Sequence, residues 1–336
     1  MLALTGGLNL RVALTTAIAV QAMPLAGPLL LSKDVFAYWG ESRVAIVHHA
    51  NPYRATPADF PDDAASPFVS ESWRAEPAVY GPAWIAAASV PAAAAGSSAH
   101  AAELAYRVFA ALALLASIAL VAVRTRNAAA VALLGWSPLL AIHYAGGGHG
   151  DALMMLVVLL ATTAGTHAAG GVLWPVAAAF KPLAPVLVPL ELARRRLAMG
   201  AAWWTGALAS TIAVVALSTL FFGTSWLHGA LTGVHQTSAL GGVRWLTELG
   251  FSHRQAVTAA AAAFLVVYGV LLGEAWQRGR ARLSLATSAL CLTSSLLRPW
   301  YALWPVALAA LEEDVAAAVV AYALTGYLLF GDAVQL

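Results

Sequence analysis

Charge is scarce in this sequence. Of its 336 residues, 18 are Lys or Arg and 16 are Asp or Glu, so charged residues make up 10% of the chain and hydrophobic residues 61%. Soluble domains carry charge on about a quarter of their residues, and the mean hydropathy of +0.76 lies far outside their range. The composition excludes a water-soluble enzyme and a nucleic-acid-binding protein. It indicates an integral membrane protein whose first partner is the lipid bilayer.

Cysteine is almost absent as well. Cys291 is the single cysteine and lies inside an apolar run, so an intrachain disulfide is excluded. The net charge of +2 says little about partners, because the side of the membrane on which charges lie matters more than their sum.

Long stretches have hardly any charge at all. Residues 128–180 contain only Asp151, and residues 197–243 contain no charged side chain. A hydrocarbon core of ~30 Å needs roughly 20 apolar residues as a helix, whereas membrane strands require an alternation that this Ala-, Leu- and Val-rich chain lacks. We therefore expect an all-α polytopic membrane protein, with residues 1–336 as a single membrane domain.

Apolar runs give the expected helices. The first is expected to be retained rather than cleaved as a signal peptide, and to lead outward to a charged loop. The runs are 8–31, 84–95, 101–123, 128–144, 152–168, 172–192 with a break at Lys181-Pro182, 201–222, 256–273, 283–297, 301–311 and 315–330.

The few charges are clustered. Eleven lie in residues 32–77, which marks residues 32–80 as a first extracytoplasmic loop, and residues 223–255 are expected to form a second. Short basic loops stay cytoplasmic, so Arg11 and three arginine clusters are placed on the cytoplasmic side. These clusters are Arg124/Arg126, Arg194/Arg195/Arg196 and Arg278/Arg280/Arg282.

The number of crossings tests this arrangement. If every run crossed once, Arg124 and Arg126 would lie outside, against the rule for basic loops. The short run 84–95, interrupted by Pro91, is therefore expected to be re-entrant or interfacial. Both charged loops, residues 146–151, Lys181 and the region of Arg298 then share the outer face.

Asp34 is the first candidate for chemistry, because it follows the first helix where the chain meets water. A carboxylate in a partly dry setting can accept a proton from a hydroxyl. An ordinary solvated juxtamembrane charge is the plain alternative. Asn51-Pro52-Tyr53 and Tyr80-Gly81-Pro82-Ala83-Trp84 combine turn formers and aromatics, which an interfacial aromatic belt also explains.

A glycine-rich segment, residues 146–151, carries His149 and Asp151. Glycines allow a tight turn and a close approach to a ligand. Asp151 also suits a helix start without any binding role. The two side chains are possible ligands for a divalent metal, but two are too few to define a metal site.

Isolated cations form the last group. Lys181 and Arg298 lie in apolar surroundings, each before a proline, and need an anionic partner such as a carboxylate or a lipid phosphate. Snorkelling to the membrane surface is the equally weighted alternative. His235 and Arg244, in the second loop, suit a polar ligand, although a disordered connection would look similar.

The order of these motifs resembles the GT-C glycosyltransferases, and in particular the bacterial polyprenyl-phosphate-mannose-dependent α-1,6-mannosyltransferases. The motifs are Asp34, Asn51-Pro52-Tyr53, Tyr80-Gly81-Pro82-Ala83-Trp84, the segment GGHGDALM from Gly147, Lys181-Pro182 and Arg298-Pro299-Trp300-Tyr301. The resemblance implies a bundle of about 10–12 transmembrane helices, with short juxtamembrane helices in the first extracytoplasmic loop. It also implies a lipid-phosphate-linked sugar donor and makes Asp34 the catalytic carboxylate.

The chemistry expected from this resemblance is one direct displacement that inverts the anomeric centre. Asp34 is expected to deprotonate the hydroxyl of a glycolipid, glycan or protein acceptor at the extracytoplasmic face of a bacterial-type plasma membrane. Lys181, Arg298 and Arg244 are the candidates for the donor phosphate. The candidates for substrate contacts are Tyr38, Asn51, Tyr53, Tyr80, His149, Asp151, His235, Trp300 and Tyr301.

Two other functions fit parts of the pattern. A transporter or flippase for a lipid-linked or small anionic solute would use broken helices and membrane-depth cations, but no internal repeat is evident and the charged loop is poorly explained. A membrane scaffold would make the polar motifs incidental.

Overall fold

The structure, a computed structural model, describes residues 7–196, 198–232 and 238–334. In these ranges all regular secondary structure is helical. The helices are α1 (Leu10–Ala22), α2 (Asp34–Ile46), α3 (Glu71–Arg74), α4 (Pro82–Ala95), α5 (Ala99–Thr125), α6 (Ala128–Gly135), α7 (Pro138–Tyr144), α8 (Asp151–Ala164), α9 (Ala168–Ala178), α10 (Ala184–Arg194), α11 (Ala201–Phe222), α12 (Ser225–Thr232), α13 (Gly242–Glu248), α14 (His253–Arg278), α15 (Leu283–Thr293), α16 (Leu303–Glu312) and α17 (Val315–Val334). Short 3-10 turns cover Met23–Ala26, Pro57–Asp59 and Pro299–Ala302.

Within these described ranges, three helices, α5, α11 and α14, are long and apolar enough to cross a membrane. On α11 and α14, large apolar side chains such as Leu208, Leu220 and Val266 remain exposed. Contact of such a surface with water is unfavourable, whereas contact with lipid tails is not. The expectation of an all-α membrane fold is confirmed at this level.

Several expected helices are shorter than their apolar runs. The run 8–31 forms a helix only from Leu10, and the 3-10 turn Met23–Ala26 ends it because Pro24 has no N–H to donate. The run 128–144 is two helices, because Ser137 and Pro138 begin α7. The expected break at Lys181-Pro182 is present between α9 and α10.

The run 283–297 is helical only to Thr293. The run 301–311 begins as the 3-10 turn Pro299–Ala302, which leads into α16. Residues 223–255 include the short helices α12 and α13.

Members of all three arginine clusters meet at one end of the bundle, here called the basic end. Arg124, Arg194, Arg195, Arg280 and Arg282 line one cavity there. The expectation that the three clusters share one side is therefore met by the packing.

The opposite region, here called the α2 face, is built from α2, α4 and the start of α5. Nine of the 13 residues of α2 are buried, so this part of the charged segment is a packed cap. Tyr106 of α5 donates a hydrogen bond to the carbonyl of Ala88 in α4 and contacts Ser42 of α2. Arg43 of α2 donates to the carbonyl of Gly96, just after α4. Both α4 and the start of α5 are thus fixed against α2.

Candidate active site

Asp34 is the first residue of α2, and its side chain is 19% exposed. The Ser32 hydroxyl accepts the backbone N–H of Asp34 at 3.2 Å and so satisfies one of the free N–H groups at the helix start. Two residues earlier, the N–H of Leu30 donates to the carbonyl of Gly146 at 3.0 Å. The approach to Asp34 is therefore tied to the glycine-rich segment.

His149 lies fully buried beside Asp34. Its Nδ1 atom is 3.8 Å from Oδ2 of Asp34 and 3.5 Å from the hydroxyl of Tyr38, one turn further along α2. The imidazole stacks on the indole of Trp300, with 3.7 Å between the ring centroids. The Tyr144 hydroxyl donates to the carbonyl of Trp300 at 2.8 Å and holds that residue in place.

Glycine is required in this segment because the backbone approaches its neighbours closely. Gly148 has φ +71, and a Cβ there would lie 2.5 Å from Val35 of α2. A Cβ on Gly150 would lie 2.4 Å from the ring of Trp84 in α4. A side chain at Gly148 would therefore collide with α2, and a side chain at Gly150 would collide with α4.

Asp151, the first residue of α8, forms a buried ion pair with Lys181. Lys181 Nζ lies 3.1 Å from Asp151 Oδ1, and the Trp304 indole N–H donates to the same oxygen at 3.0 Å. The ammonium also lies 4.0 Å from the centre of the Tyr301 ring.

The Tyr80-Gly81-Pro82 motif docks beside this ion pair. The N–H of Gly81 donates to the carbonyl of Phe180 at 3.0 Å, and a Cβ on Gly81 would lie 2.0 Å from the carbonyl oxygen of Ala179. The Tyr80 hydroxyl lies 3.1 Å from that of Tyr38. The motif therefore joins α2 to the segment that carries Lys181.

Arg298 is a half-buried cation at the same site. Its guanidinium carbon lies 6.0 Å from the centre of the Trp300 ring. Among the described residues, none of the ion pairs involves Arg298. Its charge, unlike that of Lys181, is thus left without a carboxylate in contact.

The electrostatics favour a basic carboxylate next to a neutral imidazole. Burial raises the pKa of Asp34 above its ordinary value; the hydrogen bond with Ser32 and the charge of Arg298 offset part of this effect, and Asp151 adds to it. Burial lowers the pKa of His149 well below its ordinary value, and nearby positive charge, including that of Lys181, acts in the same direction. A carboxylate with a raised pKa is a stronger proton acceptor once it is ionised.

The remaining predicted site residues are less directly connected to Asp34. Asn51 donates to the carbonyl of Phe222 at the end of α11, and Tyr53 donates to the carbonyl of Tyr80. Arg244 is mostly exposed on α13, where it pairs with Glu248 at 2.8 Å. His235 lies outside the described residues.

Arg107 and Glu41 are buried charged residues at this face that the sequence reasoning did not single out. Arg107 of α5 donates to the carbonyls of Ala145, Gly27 and Pro24 and pairs with Glu103. A lone arginine inside an apolar run is a signal that could have identified it. Glu41 of α2 is 5% exposed, and nothing in the sequence of a charged loop marks it as buried.

A metal site finds no support in the geometry. In the described ranges, no three His, Cys, Asp or Glu side chains come together as metal ligands. One oxygen of Asp151 is already taken by Lys181 and Trp304.

The apolar helices enclose a carboxylate and an imidazole together at one face. The fold is therefore that of a helical membrane protein with a polar site. Residues 8–194, more than half of the chain, match the family model for the N-terminal domain of alpha-(1->6)-mannopyranosyltransferases. The chain belongs to this alpha-(1->6)-mannopyranosyltransferase family, and it is a membrane glycosyltransferase of the mannosyltransferase kind. No curated protein matches the chain.

The family match confirms the resemblance inferred from the motifs. It includes Asp34, His149, Asp151 and Lys181, whereas Arg298 lies beyond it.

Proposed function

We propose that the chain transfers mannose from a polyprenyl-phosphate donor to an acceptor hydroxyl at the extracytoplasmic face, by an inverting, GT-C-type mechanism with Asp34 as general base. The observation that carries the proposal is the position of Asp34, partly exposed at the start of α2 and surrounded by His149, Tyr38 and the charge of Arg298. The acceptor is a glycolipid, a glycan or a protein side chain.

The sidedness rests on the charge distribution. The basic end carries the arginine clusters, and short basic loops are retained in the cytoplasm. The α2 face is then extracytoplasmic in a bacterial-type plasma membrane. The packing of α4 supports this orientation. Gly81, just before α4, donates to the carbonyl of Phe180, and Gly96, just after α4, accepts from Arg43 of α2, so α4 need not cross the bilayer.

Asp34 has the properties that a general base requires. It is within reach of solvent, and its raised pKa increases its proton affinity. An acceptor hydroxyl that gives its proton to Asp34 attacks the anomeric carbon as the bond to the phosphate breaks. A single displacement of this kind converts a β-linked donor into an α-linked product.

Arg298 is the best-placed cation for the donor phosphate. Negative charge grows on the phosphate as the glycosyl bond breaks, and a nearby cation stabilises it. Lys181 already balances Asp151 at 3.1 Å, so we assign it the secondary role. The polyprenyl tail would lie in the bilayer beside the helices. Arg244, which is paired with Glu248, stays a prediction for phosphate binding.

Substrate contacts are proposed for the side chains nearest to Asp34. Tyr38, Tyr80 and His149 offer hydrogen-bonding atoms, and Nε2 of His149 has no hydrogen-bond partner. Trp300 and Tyr301 are largely buried, with His149 stacked on Trp300 and with Trp304 and Lys181 against the ring of Tyr301. We therefore assign them a supporting role, and a direct contact with the sugar stays a prediction. Asp151 acts through Lys181. Asn51 and Tyr53 would support the site through Tyr80, and His235 stays a prediction.

The test compares Asp34→Asn with Asp62→Asn, since Asp62 is an exposed carboxylate of the same segment. Purified variants are given polyprenyl-phosphate-mannose and a saccharide acceptor without an ion gradient. We expect Asp34→Asn to stay folded and lose transfer, and Asp62→Asn to keep it. NMR of the wild-type product should show an α linkage. Near-normal transfer by Asp34→Asn excludes the proposed base, and no donor consumption by the wild type favours a transporter.

A further inference from the structure

A polar cavity lies at the basic end of the bundle, and its lining residues are remote in sequence from α2. It has a volume of about 440 Å³ and lies between the ends of α5, α8 and α10 and the segment that joins α14 to α15. Its walls carry the guanidinium groups of Arg124, Arg194, Arg195, Arg280 and Arg282.

The carboxylates in this cavity are shared between arginines. Glu191 pairs with both Arg194, at 2.6 Å, and Arg195, at 3.5 Å. Asp314 pairs with both Arg280, at 3.2 Å, and Arg282, at 2.8 Å. Glu191 therefore balances only one of its two cations. Arg282 also contacts Glu274, at 3.6 Å, so Asp314 is not its only carboxylate partner.

The remaining acidic side chains of the cavity have other partners. Glu312 accepts the backbone N–H groups of Leu283 and Ser284 at the start of α15. Glu313 accepts a hydrogen bond from the amide of Asn127 at 2.7 Å. Neither carboxylate forms an ion pair with the cavity arginines among the described residues.

Two arginines keep donors available. Arg124 contacts the carbonyl of Thr163 and no carboxylate within the described ranges. Nε of Arg195 lies 3.5 Å from Oε2 of Glu191 but forms no hydrogen bond with it, so this contact leaves the N–H groups of Arg195 only weakly engaged. A guanidinium group matches phosphate oxygens through paired N–H donors.

We propose that this cavity binds a phosphate group, supplied by the headgroup of an anionic phospholipid or by free phosphate. The basic end is where the helices leave the apolar layer, which is the level of lipid headgroups. The phosphate oxygens would receive N–H groups from Arg124, Arg195 and Arg280. This binding is independent of sugar transfer at Asp34.

The experiment measures binding rather than activity. The double variant Arg124→Gln/Arg280→Gln removes two cavity cations, while Arg282 still holds Asp314. Arg278→Gln is the control, because Arg278 is 75% exposed, pairs with Glu274 and does not line the cavity. Calorimetry in a neutral detergent titrates each purified protein with dioctanoylphosphatidylglycerol, dioctanoylphosphatidylcholine and inorganic phosphate.

We expect the wild type and Arg278→Gln to bind phosphatidylglycerol or inorganic phosphate at least tenfold more tightly than the double variant does. The probe that binds identifies the source of the phosphate group. Three results overturn the proposal: no binding of either anionic probe, equal binding by the double variant, or equal loss in Arg278→Gln. Thermal unfolding shows whether the double variant is folded; if it is not, the single Arg124→Gln variant replaces it.

Discussion

Lys181 and Asp151 form an ion pair, 3.1 Å from Nζ to Oδ1, that joins the segment between α9 and α10 to the start of α8. Only 1% of the Asp151 side chain is exposed, and its Oδ2 atom has no hydrogen-bond partner. The carboxylate therefore depends on Lys181 and Trp304 for compensation. This pair holds the start of α8 against the segment that follows α9, and Asp151 is close enough to raise the pKa of Asp34.

Removal of Lys181 alone should destabilise the fold. In Lys181→Met the buried charge of Asp151 loses its counterion, which costs about 3–5 kcal/mol. The double variant Lys181→Met/Asp151→Asn removes both charges and should recover most of this loss. Thermal unfolding in detergent measures the effect, with the exposed Lys33→Met as control. If the melting temperature of Lys181→Met equals that of the wild type, the ion pair does not stabilise the fold and Lys181 instead extends to the membrane surface.

The positions of several helix ends could be read from single residues. The proline after Lys181 predicted the break between α9 and α10, since proline cannot donate the helical N–H. The break at Pro138 follows the same rule and was missed, because the surrounding run is uniformly apolar. Prolines therefore locate helix breaks, whereas the lengths of the apolar runs overestimate the lengths of the helices.

The contacts within the site were harder to predict from the sequence than the helix ends. The order of the motifs predicted that Asp34, His149, Lys181 and Arg298 lie on one face. The short distance between His149 and Asp34, and the electrostatic effects of Lys181 and Arg298 at this site, are consistent with that prediction. The pairing of Lys181 with Asp151 depends on where α8 begins and where α9 ends. It distinguishes Lys181 from Arg298, two cations that look equivalent in the sequence. The burial of α2 also depends on its contact with α4, because α2 has no apolar run of its own.

Arg298 should matter chiefly for use of the donor. Charge-assisted hydrogen bonds contribute about 1.5–3 kcal/mol, so Arg298→Gln should raise KM for the polyprenyl-phosphate sugar by roughly tenfold or more. The KM for the acceptor should change little, and Arg298→Lys should recover part of the loss. Initial rates at varied donor and acceptor concentrations measure both constants. The exposed Arg254→Gln is the matched control, and equal effects on both KM values would contradict a phosphate contact.

Arg107 should act as a positioning residue. Its guanidinium group binds the carbonyls of Gly27 and Ala145, and so links the turn before Asp34 to the glycine-rich segment before His149. Lysine at this position keeps the charge but cannot reproduce the forked contacts. We expect Arg107→Lys to lower kcat about tenfold, equivalent to ~1.4 kcal/mol, with a smaller change in KM.

Glu103→Gln is the control for Arg107. It removes the ion pair with Arg107, 2.7 Å in length, but leaves the carbonyl contacts in place. Near-normal kcat is expected for this variant. If Glu103→Gln and Arg107→Lys are impaired equally, then the ion pair rather than the link between the two segments is what the site requires.

Glu41 should make the stability of the α2 face depend on pH. Burial raises the pKa of Glu41 from 4.5 to about 8, and the nearby charge of Asp34 adds to the effect. Tyr53 and Tyr106 are the other titratable groups that respond to Glu41. Between these two pKa values, the folded protein binds the proton that the unfolded chain has released. The stability contribution is therefore complete below about pH 4.5 and is lost as pH rises towards and through 8.

The measurement is the melting temperature of purified protein in detergent between pH 5 and pH 9. The wild type should lose stability across this range, at up to about 1.4 kcal/mol per pH unit. Glutamine at position 41 has the shape of the protonated acid but does not titrate. The melting temperature of Glu41→Gln should therefore change less with pH than that of the wild type, and at pH 9 it should be higher. The exposed Glu76→Gln should follow the wild type. A wild-type profile that runs parallel to that of Glu41→Gln would show that Glu41 is ionised in the folded protein, with a counterion or water that lowers its pKa.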